Sequence, residues 1–181
     1  MSSATETQKT QNSVAIRQAT TLDDIEAFID CLDAYMEWLD EDVSFQGYDD
    51  EKKSLPGAYV PPSGALLLAT DSETDEILGC IAIRPLKVDP GYAHTLGEGS
   101  KCCEMKRLFV YPKARGRQVA RLLIRESTTR AREGGYDAVV LDTLPKMKAA
   151  LALYASEGFE EISPYYDSPL SGTVYLRKAL A

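Results

Sequence analysis

The segment Tyr111–Leu123, YPKARGRQVARLL, joins a strand-like run to an amphipathic helical pattern. The preceding run EMKRLFV at 104–110 is typical of a strand, and the apolar spacing that follows predicts a helix over 115–134. The first amides of such a helix point outward, unpaired, at the positive end of its dipole. Gly116 lets the backbone approach a ligand closely. Three arginines add donors suited to a pyrophosphate: Arg115, Arg117 and Arg121. The segment therefore predicts an anion-binding turn, with a solvated basic helix start as the alternative.

The segments on either side predict an α/β fold. Apolar runs and turn residues predict strands at 14–20, 65–70, 77–84, 102–112, 137–143 and 173–180, helices at 21–38, 49–54, 115–134 and 145–157, and a loop at 86–100. Strands joined by short turns pair antiparallel, whereas helical crossovers give parallel strands. We therefore expect a mixed, mostly antiparallel sheet flanked by helices, in the order β-α-(α)-β-β-β-α-β-α-β-β.

Length and composition predict one domain. The chain has 181 residues, of which 44% are hydrophobic, enough for one packed core. We expect a single domain over 13–181, preceded by a disordered polar tail over 1–12. The sequence lacks both a signal-peptide core and a run of about 20 apolar residues that could span a bilayer. A cytoplasmic protein with no membrane partner is the expectation.

Charge is divided unevenly along the chain. Residues 1–100 hold 19 acidic and 6 basic side chains, whereas residues 101–181 hold 9 acidic and 14 basic ones. The net charge of the whole chain is −8. An acidic chain is a poor nucleic-acid ligand, so no nucleic-acid partner is expected. The basic second half suits an anionic cosubstrate, while the acidic first half suits a cationic substrate.

The cysteines give no metal-binding pattern. Cys31, Cys80, Cys102 and Cys103 lack C-x-x-C spacing, and His94 is the single histidine, so no metal site is expected. Cys102 and Cys103 should lie on opposite faces of a strand as buried, reduced thiols. A ping-pong mechanism through one of these thiols is the less favoured alternative, because His94 is the one histidine available to activate it.

The hexapeptide Arg115–Ala120, RGRQVA, resembles the acetyl-CoA-binding signature [Gln/Arg]-x-x-Gly-x-[Gly/Ala] of the GCN5-related N-acetyltransferase (GNAT) superfamily, with Gln118 at the place of the central glycine. The resemblance runs from about 14 to 180 and includes EMKRLFV, LDTLPKM and PYYDSPLSG, which are similar to segments of small stand-alone members. It implies acetyl-CoA as cosubstrate and transfer to a primary amine of a small molecule by direct attack in a ternary complex. It also implies a monomer or a homodimer.

The resemblance assigns roles to individual residues. Tyr154 corresponds to the general acid that protonates the departing thiolate, with a core tyrosine as the alternative. Glu104 corresponds to the base, with a bound water or a strand-edge carboxylate paired with Lys106 or Arg107 as alternatives. The cosubstrate would contact Leu108, Phe109, Val110, Arg115, Gly116, Arg117, Gln118, Val119 and Ala120.

Position in the family fold also suggests an acceptor pocket. Its candidates are Phe45, Tyr59, Arg84, Tyr165 and Tyr166. The loops that carry them are acidic and aromatic, which favours a cationic amine. Arg84 could instead bind an acceptor carboxylate, which would indicate an amino acid. A protein or peptide N-acetyltransferase and a CoA-binding module without turnover are the other two interpretations.

Overall fold

The computed structural model describes residues 13–39, 41, 47–97 and 99–180, so the tail at 1–12 lies outside the described residues. The elements follow the predicted order. They are β1 Val14–Gln18, α1 Leu22–Leu39, α2 Tyr48–Ser54, β2 Ala65–Asp71, β3 Ile77–Pro85, β4 Cys102–Val110, α3 Val119–Glu133, β5 Ala138–Thr143, α4 Lys148–Ser156, β6 Glu160–Ile162 and β7 Val174–Ala179. Short 3-10 helices occupy Pro90–Leu96, within the predicted loop, and Pro112–Ala114.

Within the described residues the strands form one sheet in the order β1-β2-β3-β4-β5-β7-β6. Pairing is antiparallel throughout except between β4 and β5. This parallel pair arises because α3 carries the chain back over the sheet, whereas the β2–β3 connection is a short turn. The predicted mixed, mostly antiparallel sheet is confirmed.

Helices cover both faces of the sheet because side chains alternate along each strand. On one face Leu66 packs in a cluster with Phe28 of α1, and on the other Leu67 packs in a cluster with Leu123 of α3. Cys102 and Cys103 also belong to different clusters, as predicted from their adjacency. The core therefore lies in two apolar layers, one on each face.

The helix α3 begins later than the sequence pattern indicates. The predicted start near residue 115 is wrong, because Gly116 has φ +81° and Gln118 has φ +60°. A right-handed helix cannot continue through a residue in the left-handed region. The helix therefore starts at Val119, and residues 115–118 form an irregular turn before it.

Two irregularities open the sheet beside β4. Cys80 pairs with Phe109 and Ala82 with Lys106, so β4 holds one extra residue in this stretch, a β-bulge. Arg107 lies in it with φ +62°, and the Cys80 thiol donates to its carbonyl oxygen at 3.3 Å. The pairing of β4 with β5 ends at Glu104, although both strands continue. We call the stretches 105–110 and 141–143, which pair with β3 and β7 but not with each other, the β4–β5 fork.

Candidate active site

Three adjoining cavities surround the β4–β5 fork. The first, of about 410 Å³, is called the slot. It is lined by Trp38, Leu108, Phe109, Val110, Arg115, Ala120, Lys146, Met147, Lys148, Ala149, Ala150 and Leu153. The slot therefore lies between the end of β4, the start of α3 and one side of α4.

The slot has the charge and shape for an anionic, partly apolar ligand. Its described lining residues include three cationic side chains and no carboxylate, and the remainder are mostly apolar. The Arg115 guanidinium stacks over Trp38, 5.0 Å from the ring centroid. Of the predicted cosubstrate contacts, Leu108, Phe109, Val110, Arg115 and Ala120 line the slot, and Gly116–Val119 lie in or next to the adjoining turn.

The backbone conformation of the turn accounts for the central glycine of the acetyl-CoA-binding signature. The signature places glycine where this chain has Gln118, and the backbone there has φ +60°, a conformation that glycine adopts without steric cost. At Gly116, with φ +81°, an added Cβ would have no heavy atom within 4 Å, so this stretch of backbone is open. An anion can therefore approach the backbone of the turn closely.

The three arginines of the turn have different partners. Arg117 donates to Asp71 at 2.6 Å and to the Ser13 hydroxyl at 2.8 Å, which ties its side chain to the edge of the sheet. Arg121 pairs with Glu157, the residue that directly follows α4. Of the three, Arg115 is the one whose side chain lines the slot.

The second cavity, of about 90 Å³, is called the central cavity, and Tyr154 and Asp142 both line it. It shares Leu108 with the slot. Tyr154 is 6% exposed, and its ring packs edge-on against Phe159 with centroids 5.5 Å apart. Burial raises the pKa of the Tyr154 phenol above its usual value of 10.0, so the group stays protonated at neutral pH.

Asp142 is a candidate that the sequence reasoning missed. Burial raises the pKa of its carboxyl group, while the Lys106 ammonium acts in the opposite direction and the Glu104 carboxylate adds to the rise. An acid with a raised pKa in a cavity is typical of functional sites. The sequence signal that could have identified Asp142 was its position near the end of the buried strand AVVLDT.

Glu104 lies on the other side of the fork. Arg84, its cross-strand partner in β3, donates to Glu104 Oε2 from Nε at 3.0 Å and from Nη2 at 2.9 Å. The Tyr165 hydroxyl donates to Oε1 at 3.4 Å, and Lys106 Nζ lies 3.7 Å from the same atom. The alternative pairing with Arg107 is wrong, because Arg107 binds Glu51 instead.

The third cavity, of about 590 Å³, is called the acceptor cavity. It is lined by Ala58, Arg84, Pro85, Leu86, Lys87, Glu104, Lys106, Tyr165, Tyr166, Asp167 and Pro169. Three of the predicted acceptor residues therefore line it: Arg84, Tyr165 and Tyr166. Tyr59 is buried beside Arg84, whose guanidinium carbon is 5.8 Å from the Tyr59 ring centroid. Phe45 lies outside the described residues.

The acceptor cavity is less acidic than its flanking sequences indicate. Its described lining holds three cationic side chains and two carboxylates. The composition of the loops was misleading here, because Arg84 and Lys106 enter the cavity from strands β3 and β4. Lys106 also lines the central cavity, so it stands between the two.

The described residues contain neither a metal-binding cluster nor a membrane-spanning helix. In the part of the chain that the structure describes, no group of three or more histidine, cysteine, aspartate or glutamate residues could hold a metal ion. No helix among the described residues has the length and apolarity needed to cross a membrane. All four cysteines are buried and none forms a disulfide.

Solved structures share this architecture. A Streptococcus agalactiae acetyltransferase superimposes with a TM-score of 0.71 at 22% identity, covering 93% of this chain and 99% of the other. A GNAT family acetyltransferase from Elizabethkingia anophelis, solved with acetyl-CoA bound, gives a TM-score of 0.62 at 20% identity, with the same two coverages. These similarities show the fold.

Sequence comparison shows the family. An uncharacterized N-acetyltransferase of Schizosaccharomyces pombe is 35% identical over 166 residues, which cover 92% of this chain and 94% of the relative. The family model described as "Acetyltransferase (GNAT) family" matches residues 26–159. The predicted enzyme class, an acetyl-CoA-dependent N-acetyltransferase, is thereby confirmed. The chain belongs to the GNAT family of acetyltransferases.

Proposed function

We propose that this protein transfers an acetyl group from acetyl-CoA to a primary amine of a small molecule by direct attack in a ternary complex. The observation that carries the proposal is the row of three cavities at the β4–β5 fork. The slot suits the cosubstrate, the acceptor cavity suits the amine, and the central cavity between them holds Tyr154 and Asp142. Two reactants held in adjoining cavities can react without a covalent enzyme intermediate.

The slot and its turn would hold acetyl-CoA. Its thioester supplies the activated carbonyl group that the amine attacks. The outward-facing amides at the start of α3 and the Arg115 guanidinium suit the pyrophosphate, because both present hydrogen-bond donors and positive charge. Leu108, Phe109 and Val110 end a strand edge that β5 leaves unpaired, so their backbone groups can bind the pantetheine arm. The side chain of Arg117 would act indirectly, by fixing the turn to Asp71.

Tyr154 would be the general acid and a carboxylate the general base. As the C–N bond forms and the C–S bond breaks, Tyr154 gives its proton to the departing sulfur. The base takes the proton that the amine releases. Glu104 is the base predicted from the sequence, and Asp142 is the alternative that the structure adds, because it shares the central cavity with Tyr154.

The size of the acceptor cavity favours a small molecule. About 590 Å³ lies within the roughly 300–1,000 Å³ of small-molecule sites. Residues from β3, β4 and the 165–169 segment line it on several sides, whereas a peptide acceptor would need an extended groove. The cytoplasmic location, the monomeric or homodimeric state and the absence of nucleic-acid and membrane partners stay predictions.

The test begins with calorimetric titration of acetyl-CoA and continues with a panel of primary amines and a lysine-containing peptide, followed by detection of free CoA thiol. Micromolar binding with thiol release in the presence of small amines supports the proposal. Release with the peptide alone would identify a protein acetyltransferase. Binding with no amine-dependent release would identify a CoA-binding module, and absence of binding would contradict the proposal.

A further inference from the structure

We propose that the acceptor is an amino acid with an apolar side chain, whose carboxylate is bound by Lys106 and Arg84 in the acceptor cavity. The inference rests on the proposed function and names its substrate class. It starts from the buried cationic side chain of Lys106, which lies at the boundary between the central cavity and the acceptor cavity. Tyr154 and Asp142, the proposed acid and one candidate base, line the cavity on one side of that boundary, and the acceptor cavity lies on the other.

Among the residues that the structure describes, the buried ammonium group of Lys106 has an incomplete set of hydrogen-bond partners. Its side chain is 8% exposed. Its nearest carboxylate oxygen among the described residues is Glu104 Oε1 at 3.7 Å, which is longer than a hydrogen bond. A buried ammonium needs hydrogen-bonded counter-charge to offset its desolvation. A ligand carboxylate in the acceptor cavity would supply it.

Arg84 supplies the second half of the proposed carboxylate site. Its Nε and Nη2 atoms donate to Glu104, while Nη1 lies 3.7 Å from the nearest Glu51 oxygen, beyond hydrogen-bond distance. The side chain is 31% exposed and lines the acceptor cavity. A guanidinium has five N–H donors, so Arg84 can hold Glu104 and still donate to a ligand.

The charge balance of the acceptor cavity favours one anionic group on the ligand. Glu104 is shared by Arg84 and Lys106, and the lining also contains Lys87 and Asp167. The lining thus has one positive charge in excess. A polyamine would add further positive charge to this set, whereas a single carboxylate would balance it.

The rest of the acceptor cavity favours an apolar side chain on the ligand. Pro85, Leu86, Pro169 and the rings of Tyr165 and Tyr166 line it, with the two tyrosine centroids 5.4 Å apart. These surfaces suit an apolar side chain on the ligand.

The position of Lys106 also orients the amine. Lys106 lines both the acceptor cavity and the central cavity. In an α-amino acid the amine and the carboxylate share one carbon atom. A carboxylate bound by Lys106 therefore allows the amine to reach the central cavity, which Asp142 and Tyr154 line.

The experiment compares reaction products that differ by the carboxylate alone. Calorimetry measures binding of N-acetyl-leucine against N-acetyl-3-methylbutylamine, and of N-acetyl-phenylalanine against N-acetyl-phenethylamine, with and without saturating CoA. We expect each acid to bind about tenfold more tightly than its partner, the value of one charge-assisted hydrogen bond. Lys106→Met should reduce the ratio to about twofold. Lys113→Met, which removes an equal charge paired with Glu76 outside the cavity, should keep it.

Equal affinities within each pair, or no binding of either acid, would overturn the inference. Titration of CoA in the same samples separates this result from failure of the proposed function. The slot does not include Lys106, so unchanged CoA affinity of Lys106→Met also shows that the variant is folded. If CoA does not bind, the proposed acetyl transfer fails, and the carboxylate preference is still read from the titrations without CoA.

Discussion

Glu51 of α2 and Arg107 of the β4 bulge form a two-point ion pair across 56 positions of sequence. Arg107 Nε donates to Oε1 at 2.9 Å and Nη2 donates to Oε2 at 3.2 Å, and both side chains are buried. Burial by itself would raise the pKa of Glu51, but the Arg107 guanidinium outweighs it and the pKa is lowered. The pair fastens α2 to the strand that forms the slot.

Glu51→Gln should therefore destabilise the fold. Removing one partner of a buried ion pair costs about 3–5 kcal/mol, measurable by urea unfolding at neutral pH. Because the folded pKa is lowered, the stabilisation is present above the ordinary pKa of 4.5 and is lost as pH falls through the folded value. The wild type and the variant should thus converge in acid. Asp33→Asn, in a more exposed pair with Lys52, should cost less than about 1 kcal/mol. Equal losses in the two variants would contradict this prediction.

Tyr154→Phe should lower kcat by about 10²-fold, because the variant keeps the packing against Phe159 and loses the proton donor. Acetyl-CoA affinity should stay the same. Steady-state kinetics and calorimetry measure the two quantities. Tyr136→Phe is the matched control, since its hydroxyl donates to the Ser63 carbonyl oxygen away from the three cavities. A similar loss of kcat in both variants would show that the effect is structural.

The two candidate bases should differ in their pH–rate profiles. If Asp142 is the base, kcat/KM of the wild type should fall in acid with an apparent pKa above the ordinary 3.8. Asp142→Asn should then remove this acidic limb of the pH–rate profile together with most of the activity. Glu104→Gln should then keep the limb and raise KM for the amine, since Glu104 binds Arg84. The opposite pattern would identify Glu104 as the base.

The stability of Asp142→Asn gives an independent reading of the Asp142 environment. Because the folded pKa is raised, the native carboxyl group binds its proton more tightly than the unfolded one, so its burial costs stability at neutral pH. Asp142→Asn should therefore unfold at a higher temperature than the wild type near neutral pH. The difference should vanish below the ordinary pKa of 3.8. A variant less stable at neutral pH would contradict the assigned direction.

Arg115→Ala should weaken acetyl-CoA binding by about tenfold, because it removes a charge-assisted contact from the slot. Arg130→Ala makes the same charge change near the other end of α3, where Arg130 pairs with Glu126. The dissociation constant of Arg130→Ala for acetyl-CoA should stay within about twofold of the wild-type value. Calorimetry of both variants checks the prediction, and equal weakening would attribute the effect to net charge alone.

Gln118→Gly should stabilise the protein by up to about 1 kcal/mol, because glycine relieves the left-handed backbone at φ +60°. Thermal unfolding measures the gain. Asp75→Gly tests the same conformation at φ +58° in the β2–β3 turn, where aspartate tolerates it better, so its gain should be smaller. A destabilised Gln118→Gly would mean that the glutamine side chain contributes more than the strain costs.

The order of elements could be predicted from the sequence because each depends on neighbouring residues. Apolar spacing marked α1, two apolar runs separated by a polar connection marked the hairpin of β2 and β3, and the cationic segment before α3 marked the turn. Tyr154 was also a candidate from the sequence, and it lines the central cavity; its catalytic role stays a prediction. Local periodicity and turn chemistry are properties of short segments, so they can be recognised without knowing how the rest of the chain folds.

The pairing of charges was decided by the tertiary structure. Arg117 pairs with Asp71, Arg84 with Glu104 and Arg107 with Glu51, and each pair joins residues at least 20 positions apart. The sheet register and the bulge in β4 determine which charges face each other, and neither follows from spacing. The position of Asp142 in one cavity with Tyr154 likewise depends on the separation of β4 and β5. Burial and electrostatic contact depend on distances through space, and the folded chain alone fixes those distances.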